Sequence, residues 1–197
     1  SGKILTGDFG RSFYLRQSVI TVLAEHAPVT AKLGLSALVF ALLLSIPLGI
    51  LAGLHRDTAL DRFALGLAVA GQALPSFLFA LLLIYIFGVQ LRWLPISGSA
   101  TWLHFVLPSV TLGYYAAPAL MRLTRSGMID VMQSDHVRTA RAYGLPAWRV
   151  VLLHALRSAI IPVVSLAAVQ LGFMLGGSIV VETVFSLKGL GLLAWQS

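Results

Sequence analysis

Residues 33–54 read LGLSALVFALLLSIPLGILAGL, a run of 22 residues without Asp, Glu, Lys, Arg or His. At 1.5 Å per residue, an α-helix of this length crosses about 30 Å of hydrocarbon. An ionised side chain at the centre of a bilayer costs several kcal/mol, so a charge-free run is what a membrane span requires. The stretch therefore predicts a transmembrane helix.

The composition of the 197-residue chain agrees with a membrane protein, because 58% of it is hydrophobic and 11% is charged. A soluble domain carries roughly a quarter charged residues. The net charge of +7 is interpreted as Arg-rich cytoplasmic loops rather than as a nucleic-acid-binding surface. The absence of Cys excludes a disulfide scaffold, a thiolate metal site and a Cys nucleophile.

Three further charge-free runs extend the pattern along the chain. Together they predict an all-α, polytopic transmembrane helical bundle with four spans, at about 33–54, 63–89, 105–121 and 158–181. Residues 1–28 lack the pattern of a signal peptide and are predicted to form an extracytoplasmic or interfacial amphipathic segment, with Pro28 introducing the first span. One membrane domain over 29–197 follows it.

Charge predicts the orientation of these spans. Segment 122–157 carries six arginines against Asp130 and Asp135, whereas 90–104 carries only Arg92. By the positive-inside rule, 122–157 is cytoplasmic, as is the short connection 55–62, and both ends of the chain lie outside. Such ends are unusual for a complete inner-membrane protein, so we expect the chain to be a piece of a six-span protein.

Segment 122–157 is the most informative part of the chain. Gly144 fits the left-handed position just past a helix end, and Pro146 fits the first turn of the next helix. An apolar stripe at helical spacing predicts a second, surface helix separate from the fourth span: Trp148, Val151, Leu152 and Ala155. Three interpretations stay open: a docking element for a partner protein, a helix lying on anionic lipid, or packing under the bundle.

Motifs for catalysis and metal binding are missing from the sequence, which has no His-Glu-x-x-His, Gly-x-Ser-x-Gly, phosphate-binding loop or EF-hand pattern. We therefore predict no catalytic residue and no metal ligand. Glu182 is the one acid at the end of a span, either a functional group in an aqueous path or an interfacial acid satisfied by water. The pairs Gly49 with Gly53 and Gly172 with Gly176 indicate helix packing, within the chain or with another subunit.

The run RTARAYG at 138–144, followed by HALRSA at 154–159 and Pro162, resembles the cytoplasmic loop of permease subunits of binding-protein-dependent ABC importers. The similarity is closest to the dipeptide, oligopeptide and nickel branch. The general pattern of the loop begins Glu-Ala-Ala and has Gly four positions after the last Ala. Here Arg138 and Thr139 take the Glu and first Ala positions, as is typical of the peptide branch, and Gly144 is retained. Weaker matches follow in the family's order, among them Asp61-Arg62 and Gly189-Leu190-Gly191, where Lys188 replaces the usual Pro.

The resemblance implies a type I ABC importer permease fold and a multi-pass subunit of the bacterial inner membrane. Such a subunit forms part of the translocation path for a peptide-like solute, namely a dipeptide, an oligopeptide or glutathione, or else for nickel. It implies four kinds of partner: the lipid bilayer, a second permease subunit, two cytoplasmic ATPase subunits that bind ATP and Mg²⁺, and an extracytoplasmic substrate-binding protein. The chain itself would be no enzyme and would bind no cofactor and no nucleic acid. The residues that the resemblance assigns to coupling with the ATPase are Arg138, Thr139, Ala140, Arg141, Gly144, Leu145 and Trp148.

A different class of function is also open, a secondary transporter or channel subunit without an ATPase partner. Such a protein binds its coupling ion through intramembrane charges, and the four predicted spans offer almost none. An intramembrane enzyme would need a catalytic constellation, which the motif search does not find.

Overall fold

A computed structural model describes residues 19–196, in which every regular element is a helix, as the sequence predicts. In chain order the α-helices are α1 (Val19–Leu54), α2 (Ala59–Ala73), α3 (Ser76–Leu83), α4 (Leu103–Met132), α5 (Asp135–Ala142), α6 (Ala147–Arg149), α7 (Leu156–Gly177), α8 (Ile179–Val184) and α9 (Leu190–Gln196). Two π-helical segments extend or join these helices: π1 (Ile84–Gln90) continues α3, and π2 (Val150–Ala155) joins α6 to α7.

Within residues 19–196, two helical stretches are long and apolar enough to cross a membrane, Ile20–Leu54 and Ala147–Gly176, and a shorter apolar helix covers Ser76–Gln90. The first and fourth predicted spans lie largely in the two long stretches. The second predicted span, 63–89, is interrupted between α2 and α3, and the third lies inside α4. The number of four spans stays a prediction.

Helix α1 is longer than the sequence predicts. It runs without interruption from Val19 through Pro28 to Leu54, about 54 Å at the rise of an α-helix. The predicted boundary at Pro28 is therefore wrong, the interfacial location of residues 19–27 stays a prediction, and residues 1–18 lie outside the described range. Val22 and Leu33, on either side of Pro28, are both buried, so packing on each side outweighs the cost of a proline inside a helix.

Helices α1 and α4 approach each other closely because small residues line their contact. A Cβ added at Gly49 would lie 2.6 Å from Cβ of Thr124, and one at Gly53 would lie 2.8 Å from Cβ of Met128. From the α4 side of the same contact, a Cβ at Gly113 would collide with the carbonyl oxygen of Ala37 in α1. Packing within the chain is thus confirmed for the pair Gly49 and Gly53.

The second glycine pair behaves differently. A Cβ added at Gly172 or Gly176 of α7 would meet no atom within 4 Å in the described part of the chain. The neighbouring Phe173 is exposed. This face of α7 therefore takes no part in packing between the described helices.

Candidate functional site

The predicted helix, turn, helix is present, and the turn has the geometry of a Schellman motif. The backbone N–H of Leu145 donates to the carbonyl of Ala140 (3.4 Å) and that of Gly144 donates to Arg141 (2.9 Å), which satisfies two carbonyls at the end of α5. Gly144 has φ +73°, the left-handed conformation that the sequence predicts for it. Pro146 follows at once, and its carbonyl accepts the first hydrogen bonds of α6 from Arg149 and Val150.

The boundaries around this turn differ from the prediction. Helix α4 continues to Met132, so the first part of the predicted loop 122–157 is the end of a long helix, and only Gln133 and Ser134 separate it from α5. On the other side, α6, π2 and α7 form one continuous helical rod. The predicted separation between a surface helix and the fourth span is therefore wrong.

The π-helical segment also changes which residues face inward. Bonding from i to i+5 brings Val150 and Ala155 to the same side, and both are buried. Trp148 and Leu152, by contrast, are 58% and 49% exposed. The predicted stripe through these residues is wrong because it assumes 3.6 residues per turn throughout.

The inward side of the turn region forms what we name the inner cluster, in which α4, α5, π2 and α7 pack together. Its buried members are Met128, Val137, Ala140, Val150, Ala155 and Ala159. Leu145 packs against it from the turn. Two of the residues predicted to act in coupling, Ala140 and Leu145, thus support the turn from within.

The outward side forms a second group, which we name the turn surface: Arg138, Thr139, Arg141, Tyr143, Gly144 and Trp148, all exposed. Tyr143 is 82% exposed, yet sequence reasoning did not single it out. Its place directly before a left-handed glycine, outside the α5 stripe of Val137 and Ala140, is the signal that could have identified it.

Weak contacts leave the charges of the turn surface available. Arg138 lies 3.5 Å from Asp135, but both side chains are mostly in solvent, where such a pair contributes little. The guanidinium of Arg149 lies 5.1 Å from the ring centroid of Trp148, a cation–π contact at the edge of the surface. The exposed face is therefore basic and aromatic.

An ion pair that sequence reasoning missed connects α2 to α4 near this end of the bundle. Nε and Nη2 of Arg125 donate to the two carboxylate oxygens of Asp61 at 2.6 and 2.7 Å, and the backbone N–H of Asp57 donates to the same carboxylate at 3.0 Å. Both residues lie outside the predicted spans 63–89 and 105–121. The hydrogen bonds from Arg125 outweigh desolvation and lower the pKa of Asp61 to about 2.

Glu182 lies in a second polar cluster. Its side chain is fully buried, and its Oε1 accepts hydrogen bonds from the hydroxyls of Thr30 (2.8 Å) and Ser178 (2.7 Å). Oε2 accepts from the backbone N–H of Leu192 (3.0 Å), and Thr30 Oγ1 accepts from Leu190 N–H (2.8 Å). We name this arrangement the Glu182 clasp, since it ties α8 and α9 to α1.

The clasp corrects one interpretation of Glu182 and leaves another open. The interpretation of Glu182 as an interfacial acid satisfied by water is wrong, because its carboxyl group is buried and accepts hydrogen bonds from protein donors. A role in an aqueous path stays a prediction. Among residues 19–196, no group of three or more His, Asp or Glu side chains lies together as a metal site would need.

Comparisons with known proteins fit this architecture. A model of the family described as "Binding-protein-dependent transport system inner membrane component" matches residues 45–197. The "Glutathione transport system permease protein GsiC" of Salmonella paratyphi A is 45% identical over 194 residues, which cover 98% of this chain and 63% of that protein. Its namesake in Escherichia coli is 44% identical over 191 residues, covering 97% and 62%. The chain thus spans less than two thirds of the length of these relatives.

A solved structure shares the fold. The crystal structure of an amino acid ABC transporter with histidines superposes with a TM-score of 0.64 at 17% identity, over 90% of this chain and 78% of that one. At that identity the similarity concerns the fold alone, and it confirms the predicted permease architecture.

The lowered pKa of Asp61 predicts how stability depends on pH. The unfolded carboxyl titrates near 3.8 and the folded one near 2, so the ion pair contributes about 2 kcal/mol above pH ~4, which is lost as the pH falls through about 2. We expect Asp61→Asn to lower the melting temperature of the purified subunit at pH 7, with the difference shrinking toward pH 2. Arg138→Gln, which removes an exposed pair with Asp135 away from Asp61, serves as the control with little effect. Equal melting temperatures of Asp61→Asn and wild type at pH 7 would contradict the assignment.

The clasp predicts that adding one methyl group to a glycine destabilises the subunit at Gly189 but not at Gly172. A Cβ at Gly189 would collide with the carboxyl group of Glu182, so Gly189→Ala should destabilise the subunit by about 1–3 kcal/mol. Gly172→Ala, which meets open space, should be neutral or slightly stabilising in the purified subunit. In a Glu182→Ala background, Gly189→Ala should cost little more, which thermal unfolding of the four variants can measure. If the effects of Gly189→Ala and Glu182→Ala on stability simply add, the methyl group at position 189 does not contact the Glu182 side chain.

Proposed function

Because this chain belongs to the family of binding-protein-dependent transport system inner membrane components, we propose that it acts as a permease subunit of an ABC importer. It forms part of the translocation path for a peptide-like solute, namely a dipeptide, an oligopeptide or glutathione, or else for nickel. The relatives named as glutathione transport permeases support glutathione as one of these candidate solutes. The subunit is not an enzyme, since ATP and Mg²⁺ are bound by partner subunits.

The observation that carries the proposal is the turn surface. Exposed Arg, Tyr and Trp side chains are the residue types that dominate binding energy at protein interfaces. Here they project from both sides of the Gly144 turn while the inner cluster holds their backbone in place. A helix lying on lipid would expose several large apolar side chains beside its aromatic ones, whereas between Asp135 and Ala147 the one exposed large apolar side chain is that of Tyr143. The arrangement favours docking into a groove of a cytoplasmic ATPase subunit.

Packing behind the surface gives the docked turn a mechanical connection to the bundle. Met128 belongs to α4 and Ala159 to α7, and both pack in the inner cluster against Val137 and Ala140 of α5. The ion pair between Asp61 and Arg125 extends the connection to α2. When ATP closes the ATPase subunits, the docked turn moves with them and shifts the population of bundle conformations from inward-facing to outward-facing.

The remaining partners follow from the same proposal. The transporter contains a second permease subunit, two cytoplasmic ATPase subunits and an extracytoplasmic substrate-binding protein, in the bacterial inner membrane. The face of α7 around Gly172 and Gly176 supports a close helix contact with the second permease, because no described residue of this chain fills it.

Co-purification of the full-length protein with its candidate ATPase subunits tests the proposal. The double variant Arg141→Glu with Tyr143→Glu changes two exposed side chains of the turn surface, and Arg92→Glu is a control for reversing the charge of one exposed arginine elsewhere on the surface. We expect wild type and the control to retain the ATPase and the double variant to bind it at least about tenfold more weakly.

Two outcomes would contradict the proposal in different ways. If the double variant binds like wild type, docking occurs elsewhere. If wild type binds no ATPase subunit, the protein is better explained as a secondary transporter or channel subunit.

A further inference from the structure

A break in the second predicted span creates a polar site beside the apolar bundle. Helix α2 ends at Ala73, and Leu74 is extended (φ −91°, ψ 137°) because the residue before a proline avoids helical conformation. Pro75 has no N–H to donate, and α3 begins at Ser76. The last carbonyls of α2 therefore lose the helical donors that a continuous span would give them.

Neighbouring groups satisfy part of this break. The hydroxyl of Tyr115 in α4 donates to the carbonyl of Leu74. The carbonyl of Pro75 accepts from the N–H groups of Leu78 (3.0 Å) and Phe79 (3.1 Å). The ring of Phe79 in turn packs edge-on against Tyr115 at 6.4 Å. Non-helical backbone at membrane depth is tolerated where it is buried in protein or lines a water-filled cavity.

A cavity of about 520 Å³ lies directly beside the break. The break forms one wall, Thr111 and Tyr115 of α4 form another, and Val180 of α8 faces it. Among the described residues, no Asp, Glu, Lys, Arg or His lines it. Its size falls in the usual range for pockets that hold small organic ligands, about 300–1,000 Å³.

We infer that this cavity is a contact site for the peptide-like solute, recognising its neutral amide groups through the backbone carbonyls at the end of α2 and the hydroxyl of Ser76. The inference rests on the proposed function and narrows it. Carbonyl and hydroxyl oxygens accept hydrogen bonds from peptide N–H groups, and interrupted helices form solute sites in other transporters. The described lining offers no imidazole or carboxylate for Ni²⁺, so the site favours a peptide over a metal ion.

The sequence contains no Cys, so a single introduced thiol reports on the cavity. We compare Ser76→Cys, in the cavity wall, with Val69→Cys, which is 61% exposed on α2 and outside the cavity. Each is tested in the complete transporter in lipid vesicles with a hydrophilic methanethiosulfonate reagent, with and without tri-alanine or glutathione. Labelling of this chain is followed by mass spectrometry, and uptake of each peptide is measured in the same vesicles.

We expect the reagent to label Ser76→Cys, the transported peptide to slow that labelling severalfold, and Val69→Cys to stay unlabelled by the hydrophilic reagent. Absence of labelling at Ser76→Cys, or labelling that a transported peptide does not slow, would overturn the inference while leaving the proposed function intact. Wild-type vesicles that import neither peptide with ATP would overturn both for these solutes. Val180→Cys, on the facing wall, repeats the test if Ser76→Cys does not assemble.

Discussion

The close approach of α1 and α4 is the contact on which the rest of the molecule depends. It requires glycine at 49, 53 and 113, because a Cβ at any of them would press into the facing helix. Without a hydrophobic driving force between helices in lipid, such close van der Waals packing is a main source of association. Helix α4 then carries Arg125, Tyr115 and Met128 to their partners, and α1 carries Thr30 to the Glu182 clasp.

Three of the interruptions between the described helices are closed by polar groups of the protein. At Leu74 the donor is the hydroxyl of Tyr115, at Gly144 the turn satisfies its own carbonyls, and beyond Ser178 the carboxyl group of Glu182 accepts from the start of α9. An apolar chain must satisfy its backbone within the protein wherever water is absent. Both proposed sites lie at such interruptions: the proposed docking turn at Gly144 and the proposed solute contact at the α2–α3 break.

Local patterns in the sequence predict the helical class and the Gly144 turn, because charge-free runs, a left-handed glycine and a following proline each act over a few residues. They do not predict the ion pair of Asp61 with Arg125 or the clasp of Thr30 with Glu182, whose partners lie 64 and 152 residues apart. The π-helical register around Val150 was also missed, since a shift from i+4 to i+5 bonding leaves no mark in residue type. The continuation of α1 through Pro28 is not predictable from local sequence, because the packing that stabilises it on both sides is tertiary.

Coupling through the Gly144 turn is tested most directly by the ratio of solute imported to ATP hydrolysed in vesicles that contain the assembled transporter. The left-handed φ of Gly144 costs a β-branched residue about 1–3 kcal/mol, whereas Asn tolerates it, and a Cβ added there meets no atom of the described residues within 4 Å. We predict a clearly lower ratio for Gly144→Val and a ratio near wild type for Gly144→Asn. A wild-type ratio in a folded, assembled Gly144→Val transporter would contradict transmission through this turn.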